Sequence, residues 1–264
     1  METMEMNNLH ATFTKDGVVR VKQALDADWL KEAEAAFNWS LANQSATSAH
    51  YNKETESGRF YVDTANPESL PVYRKLLENS LLADLVASAW GSDKVWYAFE
   101  QIFYKEGGSV RSQRTGWHQD SSYLSFDGED LAVMWITFDA LPKEAALELV
   151  RCSHRGPLYE QRGVKNDTGR PTVPHIEAAR DQYDIVSWPI EPGDVLIFHP
   201  AMLHGGGGTE AGKRRRTLSL RFFGEDVKFI RRPQTHDTPP QFLRLNEQLN
   251  DGDPFRHPDF LQLR

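Results

Sequence analysis

The hydrophobic pattern of this chain changes period once, and that change restricts its fold more than any other feature. Ahead of Gly91, apolar residues recur at helical spacing. Trp29, Ala33, Ala36, Phe37 and Leu41 follow a candidate N-cap at Asp26, and Val72, Leu76, Leu77, Leu81, Leu82, Leu85, Val86 and Trp90 form a second series. Asn66-Pro67 reads as the opening of that second helical segment, Pro71 as a point where it divides, and Gly91 as its stop. Beyond Gly91 the alternation becomes period two. Strands are predicted over Val95–Tyr104, around Trp117–Asp120, over Leu131–Phe138 and Ala146–Val150, over Val195–His199 after a Pro192-Gly193-Asp194 turn, and over Thr217–Phe223. Phe13–Gly17 reads as a turn into a short strand at Val18–Val21. The polar stretch from about 44 to 64 reads as a surface loop, and 156–188 as a long connection. Helices followed by about eight short strands point to a mainly β fold with flanking helices, a double-sheet jelly roll under helical cover.

A chain of 264 residues buries roughly 70–75% of its unfolded surface, enough to stand without disulfides or a structural metal. It is read as one domain over 1–264, with the helical cover at about 26–90, the jelly-roll core at about 95–226 and a C-terminal tail at 227–264. The single Cys152 excludes an internal disulfide framework and a Cys-rich zinc site, which fits a cytoplasmic location. Met1–Met6 lacks the features of a signal peptide, and no run of about 18 apolar residues offers a membrane span. A net charge of −8 argues against nucleic acid and anionic lipid as partners. The expected partner is a small-molecule substrate, and the expected state a monomer or homodimer. Lys213-Arg214-Arg215-Arg216 is a local exception and reads mainly as a solvated basic turn.

Trp117-His118-Gln119-Asp120 concentrates the candidate chemistry. On a strand, His118 and Asp120 share a face, so an imidazole and a carboxylate can reach one metal ion. Such a dyad arises often by chance, and a hydrogen-bonded His beside a solvated Asp is its bland explanation. His204 is the best candidate for a third ligand. His199 competes; His204 is preferred because it ends its strand among small neighbours, Gly205 to Gly208, that leave room for a co-substrate. Two His and one carboxylate make the facial triad of non-haem Fe(II) oxygenases, which leaves positions open for a co-substrate and O2. Arg215 fits as the clamp for the far carboxylate of a 2-oxoacid. It shares a strand face with Thr217, Ser219 and Arg221, and Thr217 adds a hydroxyl; Arg216 faces the other way with Leu218 and Leu220.

These motifs resemble the phytanoyl-CoA dioxygenase family, which includes ectoine hydroxylases, from about Phe13 to Asp226. The pieces are Trp117–Asp120, the Trp135 strand, Ser153-His154-Arg155, Gly193–His199 running on to His204, and an Arg eleven residues beyond that His. The resemblance implies Fe(II), 2-oxoglutarate and O2, with a cupin-like double-stranded β-helix. It implies His118, Asp120 and His204 as metal ligands and places Lys105, Gln119, Trp135 and, more weakly, Gln101 near the co-substrate. The chain departs from the family at Glu144–Leu147, at Arg151-Cys152 where Pro-Gly is usual, and at Gly206. Because Asp120 is intact, halogenation is not expected.

The expected reaction is hydroxylation of a small metabolite, with a carboxylate or phosphonate as one substrate class. Arg59, Arg111, Arg114, Arg151 and Arg155 are candidate anion contacts, and Trp96, Tyr97, Trp117, Tyr123 and Phe126 candidate pocket walls. The alternatives are desaturation, cyclisation or bond cleavage on the same iron, a non-catalytic cupin-like binding protein, and a metal-free β-sandwich interaction module.

Overall fold

The structure of the protein, a computed structural model, describes residues 3–55, 58–110, 112, 114–160, 169–232 and 240–264. In chain order it places helix α1 (Thr3–Asp16), strand β1 (Val18–Val21), α2 (Ala27–Ala42), β2 (Ala49–Thr55), β3 (Gly58–Thr64), α3 (Leu70–Asn79) and α4 (Leu82–Trp90). Then come β4 (Trp96–Glu106), β5 (Thr115–His118), β6 (Phe126–Asp127), β7 (Leu131–Thr137), β8 (Leu147–Val150), β9 (Ile185–Val186), β10 (Val195–Phe198), β11 (His204–Gly206) and β12 (Arg214–Phe223). The chain closes with β13 (Lys228–Phe229), α5 (Pro240–Gln248) and β14 (Leu261–Gln262).

Two antiparallel sheets make the jelly roll. The large one runs β1-β10-β7-β12-β4-β3-β2, with β14 also on β4; the small one runs β5-β11-β8-β9. Period-two alternation divides the side chains of the central strands between two layers. Ala132, Met134 and Ile136 of β7 and Leu218, Leu220 and Phe222 of β12 pack with Phe13, Phe37, Leu76, Leu77 and Val86 of the helices in the main core. Val133, Trp135, Leu196 and Phe198 point the other way and meet Leu149 of the small sheet, with Ala146 just ahead of β8 and Met202 just ahead of β11. The charged and hydroxyl-bearing partners on β12 therefore lie between the sheets, buried.

Several expectations are corrected. The stretch 44–64 is an edge hairpin: β2 pairs β3, and β3 pairs β4 from Arg59 opposite Glu106 to Thr64 opposite Gln101. Its polar residues hid it because only Gly58, Tyr61 and Asp63 of β3 are buried. Ahead of β1 stands a helix, with Leu9 and Phe13 on its buried face, in place of a bare turn. The second helical segment begins at Leu70, and it divides at Ser80-Leu81 instead of at Pro71, which occupies the first turn where its missing N–H is harmless. Gly91 does end α4, in the left-handed region at φ 73°. In the C-terminal tail, Val227, Phe229, Phe242, Leu245 and Phe255 join Phe99, Phe126 and Phe223 in a second buried cluster. Among the described residues no helix is long and apolar enough to cross a membrane.

Candidate metal centre

The small sheet sets the spacing of the two imidazoles. β11 pairs antiparallel with β5, and His204 stands directly opposite His118, so their rings lie 4.2 Å apart. Glycine makes the close packing of β11 possible. A Cβ on Gly207 would sit 2.1 Å from Glu144 O, and one on Gly205 2.9 Å from Thr115 O.

Asp120 arrives differently from the expectation. β5 ends at His118, and Asp120 opens a single 3-10 turn over Asp120–Ser122, held by a 2.6 Å bond from Ser122 Oγ to Gln119 O. The turn, not strand alternation, swings the carboxylate toward the imidazoles. Its Oδ1 lies 3.5 Å from His118 Nε2 and 3.7 Å from His204 Nε2. Among the described residues these three side chains alone form a group whose ligand atoms all lie within 4.8 Å of one another.

The outer nitrogens fix the tautomers. His118 Nδ1 bonds Gly116 O and His204 Nδ1 bonds Met202 O, each at 2.9 Å. A carbonyl only accepts, so each Nδ1 carries hydrogen and each Nε2 presents a lone pair inward, as a metal-binding His requires. Burial, reinforced by the charge of His118, pushes His204 down to about 4, keeping it neutral and ligand-ready. Burial opposes the proton of His118, but the hydrogen bond and charge of Asp120 outweigh it and raise that pKa. Burial alone would raise Asp120; the charge of Arg221 and the two imidazoles hold it well below the usual carboxylate range. Tyr123 also donates its hydroxyl to Asp120 Oδ1.

His199 lies elsewhere. β10 ends at Phe198, and the His199 ring spends both nitrogens on backbone, Nδ1 accepting from Ala201 N at 3.1 Å and Nε2 meeting Gly128 O at 3.2 Å. With no lone pair left it cannot serve as a ligand.

A cavity of about 100 Å³ opens beside the three donors. Its walls include Lys105, Gln101, Trp135, Arg215 and Thr217, so five of the six residues expected at a co-substrate converge there. The sixth does not. Gln119 alternates away from His118, and its amide ties loops together: Nε2 donates to Ala201 O at 2.7 Å and Pro157 O at 3.2 Å, and Oε1 accepts from Tyr159 N at 2.8 Å.

The cavity is rich in buried cations. Arg215 is held by Nη1 bonds of 2.5 Å to Ala145 O and 3.0 Å to Gly207 O, while its Nε has no partner among the described residues. Burial brings its pKa down to about 10. Lys105 stands opposite Arg215 across β4 and β12 and donates to Thr115 Oγ1 at 2.7 Å. Burial, then the charge of Arg215, lowers it to about 7. Buried cations with unspent donors call for an anion. The donor set therefore fits a divalent iron with a chelating oxoacid: two imidazoles with Nε2 turned inward and a carboxylate for the metal, and a guanidinium for a remote carboxylate.

The outer arginines are not part of the site. Arg114 pairs with Glu148 and Glu177, Arg151 with Asp16 and Asp184, and Arg155 donates to Thr14 O. Arg59 is exposed on the hairpin, and Arg111 lies outside the described residues. Of the five candidate pocket aromatics only Tyr123 lines the cavity. Trp96 stacks on Phe223, Tyr97 donates to Glu100 Oε2, Trp117 to Glu177 Oε1, and Phe126 belongs to the second core cluster. Sequence reasoning assigned no role to Arg221, whose Nη2 lies 2.8 Å from Asp120 Oδ2. The signal was present, since Arg221 continues the period-two face of Arg215.

The sequence profile of the family described as Phytanoyl-CoA dioxygenase (PhyH) matches residues 13–217. Human peroxisomal phytanoyl-CoA dioxygenase is 27% identical over 123 residues, 46% of this chain and 36% of the human protein's length. Among solved structures, the non-heme alpha ketoglutarate dependent epimerase SnoN from nogalamycin biosynthesis superposes with a TM-score of 0.75 at 19% identity, over 100% of both chains. The carbocyclase SnoK from the same biosynthesis gives 0.74 at 16% identity, over 100% of this chain and 97% of that one. The family profile spans most of the length, and His118, Asp120, His204 and Arg215 stand around one cavity: this chain belongs to the phytanoyl-CoA dioxygenase family.

Proposed function

We propose that the protein is a dioxygenase, a single catalytic domain over 1–264, that hydroxylates a small organic metabolite with release of succinate and CO2. The observation that supports this most is the convergence of His118, Asp120, His204 and Arg215 on one cavity from three separate segments. In this reading His118 Nε2, His204 Nε2 and Asp120 Oδ1 hold Fe(II). The iron, with 2-oxoglutarate and O2, supplies the oxidising chemistry, one oxygen atom ending in succinate and the other in the substrate.

The chain's own residues do the rest. Arg215 and Thr217 bind the far carboxylate of 2-oxoglutarate, and Lys105 adds a second positive charge on the same wall. The bonds from the two Nδ1 atoms to Gly116 O and Met202 O stop either imidazole from rotating its lone pair away. Val133, Trp135, Leu147 and Phe198 form the apolar side of the cavity and keep bulk water from it. An anionic group on the substrate, carboxylate or phosphonate, would find its counter-charge among the cavity cations, because Arg114, Arg151 and Arg155 are spent on protein partners.

Anaerobic titration with Fe(II) and then 2-oxoglutarate tests the proposal. Wild type should develop the weak visible charge-transfer band of the chelate. His118→Ala should not, and Arg215→Ala should need at least about tenfold more 2-oxoglutarate, the loss of a charge-assisted pair. Full succinate turnover by His118→Ala would remove the proposal.

A further inference from the structure

Asp120 is gripped from the side that the imidazoles do not reach. Oδ1 faces the two Nε2 atoms, whereas Oδ2 accepts a 2.8 Å bond from Arg221 Nη2. Both residues are buried, Asp120 at 2% and Arg221 at 4% exposure. Arg221 is itself fixed: Nη2 also donates to Gln101 Oε1 at 2.7 Å, and the Phe99 ring lies 4.8 Å from Cζ. Its Nε and Nη1 have no hydrogen-bond partner among the described residues. A guanidinium placed to bind a carboxylate for stability alone would use its fork on both oxygens. Here one guanidinium nitrogen meets one oxygen of the carboxylate, and leaving the other two nitrogens unpaired costs free energy.

We infer that Arg221 is a positioning residue that reserves Oδ2 of Asp120, so that the carboxylate offers a metal one oxygen and cannot chelate it with both. The inference rests on the proposed iron site. With two imidazoles and one carboxylate oxygen engaged, an octahedral ion keeps room for both chelating oxygens of an oxoacid and for O2. A carboxylate free to turn would take one of those places. Arg221 also balances Asp120 when the metal is absent, since an unpaired carboxylate at this depth is costly. The same arginine thus keeps the ligand charged, aimed and monodentate.

Mn(II), which binds without turnover, is the probe, followed by electron paramagnetic resonance on wild type, His118→Ala, Arg221→Met and Arg221→Lys. Wild type should bind one Mn(II) and His118→Ala none; equal binding by His118→Ala would overturn the iron site itself. Arg221→Met should bind Mn(II) about 10–100-fold more weakly and, at saturating Mn(II), should also lose affinity for 2-oxoglutarate. Arg221→Lys, which still presents a donor to Oδ2, should recover most of both. A role in packing alone would not distinguish Lys from Met in 2-oxoglutarate affinity at saturating metal. Mn(II) affinity of Arg221→Met within about twofold of wild type, with unchanged 2-oxoglutarate affinity, overturns the inference. Should Arg221→Met fail to fold by far-UV circular dichroism, Arg221→Lys decides. Affinities within about threefold of wild type support the inference, and a loss beyond about tenfold in a folded protein overturns it.

Discussion

Lys105 is the residue through which pH should act on the cavity. Its ammonium lies 4.2 Å from the centre of the Phe60 ring and 2.7 Å from Thr115 Oγ1, contacts that do not offset its burial beside Arg215, and its pKa falls to about 7. At neutral pH the side chain is therefore about half protonated. A dicarboxylate entering the cavity would complete the protonation, so 2-oxoglutarate binding near pH 7 should take up as much as about half a proton. Below about pH 6 the lysine is already charged and the uptake should vanish. Calorimetry in buffers of different ionisation enthalpy measures this directly, and Lys105→Met should abolish it. The same shift has a sign for stability. Between about 7 and the ordinary value of 10.5 the unfolded chain holds a proton that the native protein does not, so Lys105 makes the metal-free protein more stable as pH rises through that window.

At the scale of elements, the helical cover shows which contacts matter energetically. Phe37 of α2 is fully buried, with its ring 5.1 Å from that of Phe138 at the end of β7. Asp26 caps the same helix through bonds of 3.1 Å to Asp28 N and 2.9 Å to Trp29 N. Phe37→Ala should cost about 3–5 kcal/mol and Asp26→Ala about 1 kcal/mol, read from urea unfolding. Comparable losses from the two would mean that α2 is not anchored through its aromatic face. The strands of the central sheet were legible in the sequence because each buries one or both faces, and the alternation of Leu218 and Leu220 with Thr217 and Ser219 even fixed which side faces the site. The β2–β3 hairpin was not, because an edge pair buries little, and α1 was not, because its apolar face is as small as Leu9 and Phe13. Asp120 does lie beside His118 and His204, but not by the route that strand spacing suggests. Alternation predicted a shared strand face, whereas a local turn brings the carboxylate round. Arg221 and Gln119 exchange the importance expected of them, since a long-range partner decides each and sequence spacing carries no record of it.

For the whole molecule, the interlayer cavity couples metal binding to the stability of the fold. Its walls come from both sheets: the three metal donors stand on the small sheet and the turn after β5, Lys105 and Arg215 on the large one, so the complete site exists only when the sandwich is assembled. A ligand that binds only the folded state at about 100 times its Kd adds about 2.7 kcal/mol. For a protein of this size that corresponds to a rise in Tm of about 5–10 °C with Mn(II), to be reversed by a chelator and absent in His118→Ala. An unchanged melting temperature in wild type at saturating Mn(II) would mean that the metal does not bind the folded state in preference to the unfolded chain. The cross-strand pairing of β5 with β11 carries one more consequence. Because rungs of a ladder hold the two imidazoles, their separation is set by the pairing of two strands and not by the number of residues that lie between them along the chain. A deletion of one residue inside either rung would turn an imidazole out of the cleft at once.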